Sequence, residues 1–190
     1  MSTYLARSLV SPNPVMPYDP EWPLRASPLR FFDLETTGLR PDRGARITEI
    51  AVLGRDAWHV TWSRTCETRE PTSELQAVLH ATLGHLTEGV IVGHNLAFDF
   101  RFIAYEAERH RYDLPPLHYI DTLALARTHL ALPDRRLSTC CRALDCAPDV
   151  ALHTAQGDVQ ATRALFWTLA ERQSLHTLAD AGIQRMQWGM

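Results

Sequence analysis

Lysine is missing from this sequence, and all 19 basic residues are arginines. That absence is a compositional bias and carries no mechanism. An excess of positive charge is missing too: 19 basic residues against 22 acidic ones leave a formal net charge of −3. This excludes a protein that coats nucleic acid by bulk electrostatics, while leaving room for one that grips a few nucleotides of a single strand. Cysteine is scarce. Cys66, Cys140, Cys141 and Cys146 form no CxxC pair and have no second cluster, so no zinc site is built from them, and they read as thiols in a reducing compartment. No apolar run approaches the roughly 18 residues of a membrane span. The N-terminus lacks the charged head and apolar core of a secretion signal. These absences predict a cytoplasmic protein with no membrane partner.

What is present fits one domain. The chain has 190 residues, 45% hydrophobic and 22% charged, enough for a sizeable core and too few for two comfortable domains. Residues 1–28 hold six of the 12 prolines, which bars a central strand or a continuous helix and predicts an extended arm packed through Tyr18 and Trp22. The apolar run 29–34, closed by a Thr-Thr-Gly turn, predicts a buried first strand. Ile47 to Leu53 and Ala57 to Ser63 flank Gly54-Arg55-Asp56, the pattern of antiparallel strands joined by a tight turn. The pattern then changes. Apolar spacing predicts helices over 74–86 (capped by Ser73), from Leu96 to before Pro115-Pro116 (capped by Asn95), and over 122–130, 137–144 and 156–170. Short strands are predicted at 90–92 and 119–120. The tail from 172 to 190 is weakly patterned. The sum is an α/β fold with a mixed sheet.

Asp33 and Glu35 stand two apart on the first strand, so both side chains share a face while Phe32 and Leu34 point into apolar packing. Two adjacent carboxylates repel unless something neutralises them, and a hard divalent cation such as Mg²⁺ or Mn²⁺ does so. Alone, such a pair is more often a solvated face of an edge strand. Asp99 and Asp158 each fall in the opening turn of a helix, where the bland reading is stabilisation of the helix N-terminus. His153 precedes Asp158 by five residues. Within one helix the two would stand about 140° apart, so they converge only if His153 lies on the loop before the helix.

Phe32-Asp-Leu-Glu-Thr-Thr-Gly38, His94-Asn-Leu-Ala-Phe-Asp99 and His153-Thr-Ala-Gln-Gly-Asp158 resemble, in order and spacing, the three motifs of the DEDDh or DnaQ-like 3′–5′ exonucleases, the family of the proofreading epsilon subunit of bacterial DNA polymerase III. The resemblance covers residues 29–171 and leaves the arm and tail outside it. It implies a ribonuclease H-like fold with a five-stranded mixed sheet flanked by helices. It implies that Asp33, Glu35, Asp99 and Asp158 hold two Mg²⁺ or Mn²⁺ ions and that His153 is the general base. Those roles suit the hydrolysis of an anionic phosphodiester. It further implies that Thr36, Thr37 and Gly38 meet the 3′ end and that Leu39 wedges beside the base. His94 and Asn95 line the substrate, and Phe102 packs near it. Core packing competes for Phe102, and a structural role competes for His94.

The sequence departs from the family pattern twice, and the first departure bears on the substrate. The Ile/Val-His-Gly-Ile-Thr segment of many relatives is absent from 65–80, where Ala77-Val-Leu-His-Ala81 is at most a faint echo. The acidic residue that often precedes the last Asp is also absent. The expected partner is a single-stranded or frayed 3′ end of DNA, with RNA and short oligonucleotides as alternatives. A polymerase-docking module that uses the arm or Trp188 is the non-enzymatic alternative. Nothing in the sequence decides self-association.

Overall fold

In the computed structural model, which describes residues 18–64 and 73–188, the apolar run that opens at Leu29 becomes an inner strand of a six-stranded sheet. This strand, β1 (Leu29–Thr36), pairs antiparallel with β2 (Ile47–Leu53), which pairs antiparallel with β3 (Trp58–Ser63). On its other side β1 runs parallel to β4 (Val90–Gly93), and β4 runs parallel to β5 (Leu117–Asp121). The edge strand β6 (Gln184–Met186) lies antiparallel to β5. The order is β3-β2-β1-β4-β5-β6. The helices are α1 (Ser73–Thr87), α2 (Leu96–His110), α3 (Thr122–His129), α4 (Leu137–Ala143) and α5 (Ala155–Arg172). The turn between β2 and β3 is closed by the Gly54 N–H donating to the Ala57 carbonyl at 2.9 Å.

The mixed sheet with flanking helices is as expected, with one strand more than five. The sixth strand had no apolar alternation to announce it. Its residues are Gln184, Arg185 and Met186, and backbone pairing holds them, helped by the Tyr119 hydroxyl donating to Gln184 Oε1 at 2.6 Å.

Alternation along the strands divides the core into two layers. Leu29, Phe31, Ala51, Leu53, Val90, Val92 and Ile120 face α3, α4 and α5. Phe32, Leu34, Ile50, Val52 and Ile91 face α1 and α2. Because successive side chains point to opposite faces, Asp33 and Glu35 continue the Phe31 face, the one that α5 covers.

The stretches outside the resemblance pack against this body. Tyr18 and Trp22 meet edge-on, with ring centroids 5.6 Å apart, and Leu24 and Ser27 are buried. The Leu24 N–H donates to the His176 carbonyl at 2.8 Å and the Leu178 N–H to the Trp22 carbonyl at 3.0 Å, so the two stretches are tied to each other. Leu178 and Ala181 are core residues. Trp188 is also committed internally: its indole N–H donates to the Pro115 carbonyl at 2.7 Å and its ring packs on Phe100. Residues 1–17 of the proline arm, Cys66 and the capping side chain expected of Ser73 lie outside the described residues, as does the first half of the stretch where the His-Gly segment would fall. Cys140 and Cys141 are free, buried thiols. Among the described residues no helix is long and apolar enough to cross a membrane.

Candidate active site

Four of the five expected chemical residues meet where β1 ends beneath the first turn of α5. Ligand atoms of Asp33, Glu35 and Asp158 all lie within 4.8 Å of one another, and all three side chains are partly exposed. His153 stands on the loop just before α5. The fifth residue, Asp99, comes from α2 on the opposite face of the sheet. It is only 3% exposed, and its Oδ1 accepts the Leu34 N–H at 3.1 Å. Asp99 is therefore not one of the clustered trio, but it is close enough for its charge to act on Asp33.

So much negative charge in one place is costly. Burial first, then the charges of Asp99, Asp158, Glu35 and Glu49, holds the Asp33 carboxyl well above the usual carboxylate range. Glu35 is raised by burial and then by Asp158 and Glu49. Asp158 is raised by burial, against the lowering effect of the bond it accepts from the His153 N–H. Asp99 is raised by burial, although backbone donors oppose the shift. Clustered, partly buried carboxylate oxygens that form no ion pair among the described residues are the donor set of a hard divalent cation, so the residues present fit Mg²⁺ or Mn²⁺.

The His153 loop is built by three devices. His153 adopts a left-handed conformation with φ of 64°, which takes it off the helix and aims its N–H at Asp158 Oδ1, 3.2 Å away. Thr154 then caps α5, its hydroxyl accepting the Gly157 N–H at 3.0 Å. Gly157 is required because a Cβ there would overlap the Ala151 carbonyl of the loop folded over it. The third device was missed from the sequence. Glu49, the cross-strand neighbour of Glu35, accepts the Ala155 N–H at 2.9 Å. Its signal was its register: counted from Ala51 and Leu53, it falls on the α5 face of β2.

The second motif is likewise locked. Asn95 occupies the position before α2 with φ of 69° but makes no capping bond through its side chain. The expectation that it caps the helix is corrected: Asp121 does so, accepting the N–H groups of Asn95 at 2.9 Å and Leu96 at 3.2 Å, and that of Leu123 in α3 at 2.9 Å. One carboxylate thus serves two helix N-termini. Its position before Thr122-Leu123 was a readable cap signal for α3, whereas its reach to α2 depends on the parallel pairing of β4 with β5. His94 uses both ring nitrogens, Nδ1 with the Thr122 hydroxyl at 2.9 Å and Nε2 with the Arg135 carbonyl at 2.8 Å. A carbonyl only accepts, so Nε2 carries the proton. Burial pushes the pKa of the ring down. His94 is a structural bridge whose edge still lines the groove beside His153.

The turn after β1 opens at a register shift between Glu35 and Thr36. The Thr36 hydroxyl donates to the Gly38 carbonyl at 2.8 Å, and Thr37 exchanges bonds with the Arg46 backbone. Leu39 is left 76% exposed, more than any other large hydrophobic side chain among the described residues. Phe102 goes the other way. It is fully buried against Phe98, so the nucleotide contact expected of it is corrected to core packing.

Comparison with known proteins shows the family and the fold. The exonuclease family profile, RNase_T, matches residues 60–166, more than half the chain; the span includes Asp99, His153 and Asp158 and begins after Asp33 and Glu35. The PolC-type DNA polymerase III of Thermotoga maritima is 30% identical over 162 residues, which are 74% of this chain and 12% of that polymerase. The 3′-5′ exonuclease DinG of Bacillus subtilis is 25% identical over 163 residues, 74% of this chain and 17% of DinG. The chain thus spans a small fraction of the length of these relatives. Among solved structures, Exonuclease X in complex with 5′-overhanging duplex DNA aligns with a TM-score of 0.55 at 20% identity, covering 81% of this chain and 99% of that one. Pop2p of S. pombe, in a form with Mg²⁺ and Mn²⁺ bound, aligns at 0.54 and 14% identity, covering 78% and 84%. These two likenesses show the ribonuclease H-like fold. The chain belongs to the exonuclease family, in its DEDDh or DnaQ-like branch.

Proposed function

We propose that the protein is a metal-dependent 3′–5′ exonuclease that releases mononucleotides from the 3′ end of a nucleic-acid strand, with His153 as general base. The observation that carries this reading is the carboxylate trio within 4.8 Å beside a histidine held off the helix. Asp33, Glu35, Asp99 and Asp158 would hold two Mg²⁺ or Mn²⁺ ions, which when bound lower the pKa of water and offset the charge that develops on the phosphodiester oxygens. His153 takes the proton of the attacking water, a role worth about 10²–10⁴ in rate. Its backbone bond to Asp158 keeps base and carboxylates in one frame. Thr36, Thr37 and Gly38 form the floor under the terminal nucleotide, and the exposed Leu39 stands beside its base. Asn95 and the edge of His94 line the adjoining wall.

DNA is put first as substrate because Exonuclease X is seen with duplex DNA and the PolC-type relatives are DNA polymerases. The protein would act in the cytoplasm, without a membrane. The deciding experiment compares single-stranded DNA, mismatched duplex, RNA and dinucleotides in Mg²⁺, Mn²⁺ or EDTA, with Asp33→Ala as control. Metal-dependent 3′ trimming that the variant lacks supports the reading; full activity in EDTA or in Asp33→Ala refutes it.

A further inference from the structure

Next to the carboxylates lies a concentration of positive charge that this mechanism does not use. Arg127 in the last turn of α3, with Arg135 and Arg136 at the entry to α4, lines a groove of about 560 Å³ together with His94, His153 and Asp158. None of the three arginines forms an ion pair among the described residues. The acid within their own loop, Asp134, accepts the Arg136 backbone N–H at 3.0 Å and bonds the Thr139 side chain, so it feels the Arg136 charge without forming an ion pair with it. Arg135 Nε is buried and has no hydrogen-bond partner. A buried donor left unmet is a cost that an incoming acceptor would remove. The loop is also pre-positioned, since the Arg135 carbonyl is held by His94 at 2.8 Å.

On the exonuclease reading above, we propose that Arg127, Arg135 and Arg136 form a subsite for the phosphodiester backbone of the strand being shortened, on the 5′ side of the scissile bond. Guanidinium forks match phosphate oxygens in geometry as well as charge. Where the scissile phosphate sits among the carboxylates, the retained strand leaves along this groove, and its phosphates meet the arginines. The enzyme is then built for oligonucleotides in preference to dinucleotides. In a duplex the complementary strand carries the same chemistry, so the substrates must separate the two sources.

The test is steady-state kinetics of Arg127→Ala, Arg135→Ala and Arg136→Ala on a single-stranded DNA oligonucleotide, the same strand paired to a complement, and a dinucleotide. The expected result is a KM on the single strand raised about three- to tenfold more than on the dinucleotide, with kcat little changed. The slope of log kcat/KM against log salt should fall by about 0.7 for each phosphate that an arginine no longer neutralises. Arg135→Lys keeps a charge and retains most of the slope, whereas a loosened loop would lose it in both variants. An unchanged KM and slope, or equal losses on dinucleotide and oligonucleotide, overturns the proposal and leaves the arginines as counter-charges to the carboxylates. An effect confined to the paired substrate also overturns it in favour of the complementary strand. If the wild type degrades none of these substrates, the exonuclease reading fails by itself. Fluorescence anisotropy of the labelled single strand with the wild type and the triple alanine variant then decides the groove separately, equal affinity refuting it.

Discussion

Glu49 on β2 accepts the Ala155 N–H at 2.9 Å, so a carboxylate of the sheet closes the first turn of the helix that carries Asp158. The bond spans 106 residues of sequence and fixes where α5 begins. The His153 loop and the Asp158 turn therefore inherit their position from the same strand pairing that aligns Glu35 with Glu49.

Glu49→Ala removes that acceptor, and the expected cost is about 0.5–2 kcal/mol of stability, the range for a lost helix cap. Activity should fall through kcat, because the loop moves while the substrate floor at 36–38 does not. Glu49→Gln keeps an acceptor oxygen and should restore most of both. Thermal melts and kinetics of the two variants check this; equal, wild-type-like behaviour in both would remove Glu49 from any positioning role.

Asp121 is the corresponding tie for the second motif. Its carboxylate takes three backbone N–H groups at the starts of α2 and α3, and its replacement leaves donors unmet at two helix ends. Asp121→Ala should cost about 1–4 kcal/mol, the cost of two helix caps. At this chain length each kcal/mol moves Tm by about 2–4 °C. Asp121→Asn, which keeps one acceptor oxygen, should fall between. A Tm change under a degree in Asp121→Ala would show that water replaces the cap at no cost.

The pattern of these ties explains what the sequence disclosed. Strand alternation, a local rule, put Asp33 and Glu35 on one face, and helix geometry set His153 off the helix, while their chemical roles were implied only by the resemblance of the three motifs. The β2–β3 hairpin, readable from its Gly-Arg-Asp turn, and the five helices, readable from local pattern, were legible for the same reason. Glu49, the reach of Asp121 to α2, and β6 were not, since each acts across the sheet. Glu49 matters only through its register with β1, Asp121 through the parallel pairing of β4 with β5, and β6 through backbone pairing alone. Phe102, for which core packing competed with a nucleotide contact, is core: it lies one turn beyond Asp99 on a helix that is already buried at that point.

The carboxylates predict a stability that depends on pH in the metal-free protein. Asp33, Glu35, Asp99 and Asp158 are all raised above their ordinary values of 3.8 for Asp and 4.5 for Glu. Between the unfolded and folded pKa the native state binds more protons, so stability falls as pH rises through that window, from about 4 upward. In EDTA, Asp33→Asn removes the most surrounded of these charges, and its Tm should exceed that of the wild type by a few degrees at pH 7, with the gap closing toward pH 4. Mg²⁺ should raise the wild type and leave the variant nearly unmoved, while the variant loses activity. A variant less stable than the wild type in EDTA at pH 7 would refute the repulsion argument.

His153 gives the sharpest test of the chemistry because its backbone and side chain can be separated. Its left-handed conformation is one that Asn adopts readily and Ala resists, at a cost of about 1–3 kcal/mol for a residue forced into it. His153→Asn therefore keeps the loop and the N–H that Asp158 accepts, and removes only the base. The expected result is a kcat about 10²–10⁴ lower with KM and metal-induced stabilisation unchanged. His153→Ala should show the same loss of rate together with a lower Tm. If His153→Asn keeps wild-type kcat, the proton is taken by another group, and the left-handed loop serves only to hold Asp158.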